Sequence, residues 1–90
     1  MIILIQNITY TIPQYGRIEL YLKEIMDKQN LTRNAVARAI DTRFEVVNKW
    51  YNGSVEKIDA DILARLCYVL NCEAGDLIKY VPPDDPSKTA

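Results

Sequence analysis

Residues 31–57 carry five cationic side chains, Arg33, Arg38, Arg43, Lys49 and Lys57, against three carboxylates, Asp41, Glu45 and Glu56, for a net of +2. Guanidinium and ammonium groups donate to anionic oxygens, so this stretch is where a polyanion would be met. The flanks differ from it. Residues 1–30 hold three charges of each sign, and residues 58–90 hold three positive and six negative. The chain as a whole is −1, so the basic excess is local. A balance of this kind predicts modest non-specific affinity for a polyanion rather than none. Other chemistries are closed off by residue type. The chain has no histidine, which removes Ser/His/Asp and Cys/His catalysis and zinc sites built on imidazole. Its two thiols, Cys67 and Cys72, cannot close a tetrahedral zinc site alone. A disulfide between them is disfavoured by a reducing compartment and by their place at a helical end. Cys67 reads as a small core residue and Cys72 as incidental. With no nucleophile–base pair, metal cluster or phosphate-binding loop, no enzyme is expected, and no cofactor or metal.

These cations need elements to position them. Ninety residues suit one domain with one modest core. Apolar residues are 49% and charged residues 26%, the balance of a soluble globular chain and not of a disordered one. No apolar run approaches the roughly 18 residues that span a bilayer. The start, MIILIQNITYTIP, lacks a positive n-region and a small-residue cleavage site, so it reads as folded structure and a cytoplasmic location is expected. Residues 2–12 read as β structure: an apolar run Ile2–Ile5, then Ile8, Tyr10 and Ile12 alternating with Thr9 and Thr11. Pro13 ends the strand, and Gln14-Tyr15-Gly16 reads as a turn. A lone strand needs a partner. Leu77–Val81 is the other strand-like segment, so the two are expected to pair, within one chain or across a dimer. The expected organisation is one domain over 1–82, with a strand region at 1–13 and a helical core at 17–82, followed by a flexible tail at 83–90.

Helical spacing governs the middle of the chain. A first helix is expected from Arg17 to Gln29, with Ile18, Tyr21, Leu22, Ile25 and Met26 on one face and Asn30 as its stop. A second spans Arg33–Ile40 with Thr32 as N-cap. A third spans Arg43–Tyr51, where Thr42 and Glu45 fit a capping box and Asn52-Gly53 terminates. A fourth starts after Asp59 and carries Ile62, Leu63, Leu66, Cys67 and Leu70 as a clean apolar stripe ending at Asn71. Ala74–Ile78 looks like one short helical turn.

The spacing of Leu31, Val36, Ala37, Ile40, Val47 and Trp50 describes two short amphipathic helices crossing at a tight turn, a helix-turn-helix. The close crossing needs a small residue, which Ala37 supplies. The turn needs a left-handed residue, and Asp41 stands in that place. A second helix held out from such a frame has the width of a DNA major groove. Trp50 faces inward and reads as core, not as a stacking platform.

The segments LTRNAVARAI, VVNKWYNG and KIDADILARLCYVLNCEAGDLIKYVP resemble the phage-repressor-like, or XRE, class of helix-turn-helix regulators, in a small single-domain branch. The leucine–cysteine helix followed by Asn-Cys-Glu-x-Gly-Asp-Leu carries the branch, and the likeness covers about residues 17–82. It implies a five-helix lambda-repressor-like domain whose third helix enters the major groove, and with the strand read at 2–12 the expected fold is mainly α with a short N-terminal β element. Arg33 stands where the family often has a glutamine that contacts a phosphate. Asp41 replaces a common glycine. Thr42 falls where a small buried aliphatic residue is usual, with Arg43 at the cap position, so the family frame starts the third helix one residue later than the capping box does.

By this resemblance Arg43, Phe44, Glu45, Asn48 and Lys49 face bases. Lys49 can donate to guanine O6 or N7, Asn48 can read adenine or bond a phosphate, and Glu45 can accept from cytosine N4. Phe44 can touch a thymine methyl or pack on a neighbouring side chain. Glu45 can equally form a surface pair with Lys49 at i,i+4. Arg33, Asn52 and Lys57 are the candidates for phosphate contacts, which position without reading sequence. The function expected is a sequence-specific regulator binding double-stranded DNA, as a homodimer on a palindromic or repeated half-site, since one such module offers few base contacts. The alternative is a protein-interaction or antitoxin-like module that keeps the fold without specific DNA binding, motivated by the acidic balance and by Glu45. No effector domain is read, so no small-molecule effector is expected, and no membrane partner.

Overall fold

Alternation sets the first element of the computed structural model, which describes residues 15–83. In Arg17–Leu20 two apolar side chains alternate with two charged ones, and the segment is a strand, β1. It pairs antiparallel with Ile78–Val81, β2, placing Ile18 opposite Tyr80 and Leu20 opposite Ile78. One face of the ribbon is therefore Ile18, Leu20, Ile78 and Tyr80, and the other carries Arg17, Glu19, Lys79 and Val81. One expectation is corrected here. Residues 17–20 do not open the first helix, because Ile18 and Leu20 fit a period of two as well as Ile18 fits a helical face. The partner strand, with Tyr80 and Val81, decides between them. The C-terminal strand forms and pairs with Arg17–Leu20; the strand expected at residues 2–12, with its pairing, lies outside the described residues. Gly16 enters β1 at φ 86°, where a Cβ would collide with the Val81 carbonyl oxygen, so the turn requires glycine.

Five helices lie between the strands: α1 Leu22–Lys28, α2 Arg33–Ala39, α3 Phe44–Asn52, α4 Ala60–Leu70 and α5 Ala74–Leu77. Local chemistry explains most of their ends. The Thr32 hydroxyl accepts from Ala35 N at 3.1 Å at the start of α2. The Asp59 carboxylate accepts from Asp61 N at 2.8 Å and Ile62 N at 3.3 Å at the start of α4. Asn30, Asp41 and Asn71 follow α1, α2 and α4 in the left-handed region, at φ 57°, 55° and 54°, and Gly53 follows α3 at φ 73°. The expected Thr42–Glu45 capping box is absent. The N-cap of α3 is Arg43, without a side-chain cap bond, because Thr42 N is committed to Ala37 O at 2.9 Å in closing the preceding helix. The helix therefore follows the later of the two frames.

The core is one cluster. Leu22 and Met26 come from α1, Val36 and Ala37 from α2, Val47 and Trp50 from α3, Leu66 and Leu70 from α4, and Leu77 from α5, with Ile40 at the turn. The positions read from spacing as the crossing of two helices are thus buried, with Leu31 packed at the edge. Each large aliphatic side chain so buried contributes roughly 1.5–3 kcal/mol. Among the described residues, no buried side-chain nitrogen or oxygen lacks a hydrogen-bond partner, and no helix is long and apolar enough to cross a membrane.

Candidate nucleic-acid interface

The third helix is held from several sides. Val47 and Trp50 anchor its inner face, at 1% and 3% exposure. Before it, Asp41 N donates to Arg38 O at 3.2 Å while Thr42 N donates to Ala37 O, the paired bonds of a left-handed helix end. Arg65 of α4 reaches this same turn. Its Nη1 donates to the Ile40 carbonyl at 2.9 Å, and its Nη2 pairs with Asp61 at 2.8 Å. After α3, Ser54 N donates to Lys49 O at 3.0 Å over Gly53. Nothing in the sequence pattern singled out Arg65. Its i,i+4 spacing from Asp61 was the available signal, but that spacing reads equally as a solvated pair.

With the inner face fixed, the outer face follows from helix geometry. Each residue advances about 100°, so Phe44, Asn48, Asn52, Glu45 and Lys49 succeed one another around about 140° of surface. Phe44, Glu45, Lys49 and Asn52 are exposed and Asn48 is half-buried. Arg43, at the N-cap, is exposed as well. The candidates read from the sequence thus fall into two groups. On one flank Arg43, Lys49 and Lys57 line a shared cleft with Val46, Trp50 and Val55 as its apolar wall. Among the described residues Glu45 and Lys49 do not come within ion-pair distance, so the expected i,i+4 surface pair is not formed.

The other flank is more tightly built. Arg33, at the first position of α2, sends Nη1 to Asn48 Oδ1 at 2.7 Å. Its guanidinium lies 4.8 Å from the Tyr51 ring centroid and 5.6 Å from that of Phe44. Tyr51 in turn donates its hydroxyl to Asp27 of α1 at 3.2 Å, and Lys23 reaches the other oxygen of Asp27 at 3.0 Å. The Lys23 ammonium bonded to Asp27 holds that carboxyl below the ordinary aspartate value, and the same bond raises Lys23. So α1, α2 and α3 are tied along one edge of the outer arc. Tyr51 and Asp27 were not foreseen as parts of the site. Tyr51 lies three residues after Asn48 and seven after Phe44, which puts all three on one helix edge.

The arrangement offers donors at both flanks, a carboxylate between them and one exposed aromatic ring. It contains no group of three or more candidate metal ligands among the described residues.

Comparison with known proteins bears on this geometry. The family model for the Cro/C1-type helix-turn-helix DNA-binding domain matches residues 21–83. The crystal structure of a candidate DNA-binding protein from Bacteroides fragilis superposes with a TM-score of 0.63 at 16% identity, covering 70% of this chain and 100% of that one. The crystal structure of the transcriptional regulator VanUg superposes with a TM-score of 0.58 at 20% identity, covering 81% of this chain and 97% of that one. At these identities the two structures share the fold. No curated protein matches the sequence at a significant level.

Proposed function

Because the chain belongs to the Cro/C1-type helix-turn-helix DNA-binding family, we propose that it is a sequence-specific transcriptional regulator that lays α3 in the major groove of duplex DNA. One observation carries this reading: α3 exposes a polar arc from Phe44 to Lys49 while Val47 and Trp50 lock its other side in the core. A helix held in this way presents a fixed row of side chains to base edges. Lys49 donates to guanine O6 or N7, Glu45 accepts from cytosine N4, and Phe44 meets a thymine methyl. Arg43 enters the groove at the start of the helix, and Asn48 reads a base beside it. Asn52, Lys57 and the free edge of Arg33 meet phosphates and set the register. The site of action is the cytoplasm, where such DNA lies.

The regulator works as a homodimer on two related half-sites. The ribbon supports this. Leu20 and Ile78 pack against the core, but the same face continues into Ile18, 53% exposed, and Tyr80, 60% exposed. An apolar face that overruns its own core is a surface for a second copy. The strand region expected at residues 1–13 and the end of the expected tail lie outside the described residues.

Binding to a random duplex library under rising salt tests the function. Affinity falls steeply with salt, and a preferred sequence emerges on selection. Asn48→Ala combined with Lys49→Ala abolishes the preference while the fold stays intact by circular dichroism. If wild type and double variant bind all duplexes equally poorly, the regulator reading is wrong. Light scattering tests the dimer: deletion of residues 1–12 gives monomers, and a monomeric wild type removes this part of the reading.

A further inference from the structure

Arg33 carries donors and no acceptor. The group of Asn48 that faces it at 2.7 Å must therefore be the carbonyl Oδ1, never the amide nitrogen. The two ends of a carboxamide diverge, so the Nδ2 hydrogens are directed away from the Arg33 guanidinium. Arg33 is not a loose arm that could swing aside from this contact. Its guanidinium is stacked on Tyr51 at 4.8 Å and over Phe44 at 5.6 Å, and Tyr51 is itself tethered to Asp27 of α1. A planar cation held against two rings loses little further freedom when it bonds the amide.

Asparagine reads adenine by using both ends of its amide, accepting from N6–H2 and donating to N7. In Asn48 one of the two lone pairs of Oδ1 is taken by the Arg33 guanidinium, whose positive charge also repels a second donor, whereas the Nδ2 donors stay free. Guanine offers two acceptors in the major groove and thymine offers O4, whereas adenine sets a donor beside its acceptor and cytosine offers a donor. Resting on the major-groove reading above, we propose that Arg33 is a positioning residue that biases Asn48 toward donating, so that guanine or thymine is favoured over adenine at the base beneath Asn48. Arg33 thus sets specificity at a base it does not touch.

Selection from a random duplex library locates the base and tests the idea. Asn48→Ala identifies it, as the one operator position at which preference disappears. At that position wild type selects guanine or thymine over adenine by at least about fivefold. Arg33→Met keeps an apolar stem for Tyr51 and Phe44 to pack on, releases Oδ1, and moves the preference to adenine. Asn48→Asp keeps the contact with Arg33, turns an acceptor outward, and moves the preference to cytosine. Melting curves check that each variant is folded, and Asn48→Asp gives a readout if Arg33→Met is not. Wild type selecting adenine or cytosine at the located position overturns the proposal. So does an Arg33→Met protein that binds every duplex more weakly with the same base preference, since Arg33 would then be a phosphate contact only. Failure of the regulator reading looks different: wild type then selects no sequence at all.

Discussion

Replacing Arg65 by alanine should destabilise the domain by about 1.5 kcal/mol, although Arg65 touches neither the core nor the outer arc of α3. Two main contacts are lost, beside a longer one from Nη1 to the Asp41 carbonyl at 3.4 Å. The bond from Nη1 to Ile40 O satisfies one of the carbonyls that the end of α2 leaves without a helical partner. A charged donor on a carbonyl is worth roughly 1.5–3 kcal/mol when shielded. The Arg65 side chain is 43% exposed, so about 1 kcal/mol is the appropriate share. The pair with Asp61 is an exposed i,i+4 pair and adds roughly 0.3–0.5 kcal/mol. In a domain of this size each kcal/mol moves the melting temperature by roughly 4–8 °C, so Arg65→Ala should melt about 6–12 °C lower. Two companions divide the effect in thermal unfolding followed by circular dichroism. Asp61→Asn should lose only the small pair term, about 2–4 °C. Arg65→Met keeps the aliphatic stem and should stay close to Arg65→Ala. Recovery of full stability by Arg65→Met would refute the reasoning, because it would assign the effect to packing of the stem and not to the carbonyl at the turn.

Asp41→Gly should leave stability unchanged or raise it by up to about 1 kcal/mol in thermal melting, because it relieves a left-handed side chain at φ 55° while the bonds of that turn use only backbone atoms of residue 41. Thr32→Ala should cost about 1 kcal/mol in denaturant unfolding, since Ala35 N then loses its acceptor at the start of α2. Asp27 has a lowered pKa, chiefly through its bond from Lys23, so what its charge contributes is present above the unfolded aspartate value and is lost as pH falls through the lower folded one. Wild type should therefore melt above Asp27→Asn at neutral pH, and the gap should narrow as the pH falls below the ordinary aspartate value of about 4. A gap that persists in acid would mean that the carboxylate is not what Tyr51 and Lys23 hold.

The fold was legible where the evidence is local. Thr32 and Asp59 cap their helices with their own side chains, and Asn30, Asp41, Gly53 and Asn71 are residue types that tolerate the left-handed conformation they adopt. Val36, Ala37, Ile40, Val47 and Trp50 declare their burial by spacing alone. The errors fall where two periods fit the same residues. Arg17–Leu20 could begin a helix or alternate as a strand, and only the distant Ile78–Val81 selects the strand. The start of α3 shows a related conflict. Thr42 is a good cap by composition, but its N–H is drawn into closing α2, and the cap moves to Arg43, which has no suitable side chain.

The site was legible as a set of residue types and illegible as a set of states. Helical spacing alone places Phe44, Glu45, Asn48, Lys49 and Asn52 on one arc, so the exposure of all but the half-buried Asn48 could be anticipated. Which of their hydrogen-bonding groups are already engaged could not. Asn48 is bonded by a residue 15 positions earlier, Tyr51 by one 24 positions earlier, and the turn before α3 by one 25 positions later. None of these distances has a sequence period, because each joins separate helices brought together by the core. Yet for recognition the engaged groups matter as much as the free ones. An asparagine with both amide ends free and one held at its oxygen are the same letter in the sequence and different readers of a base edge. On the reading proposed above, specificity would be written partly in α1 and α2, which do not enter the arc themselves but bear on which donors α3 has left to offer.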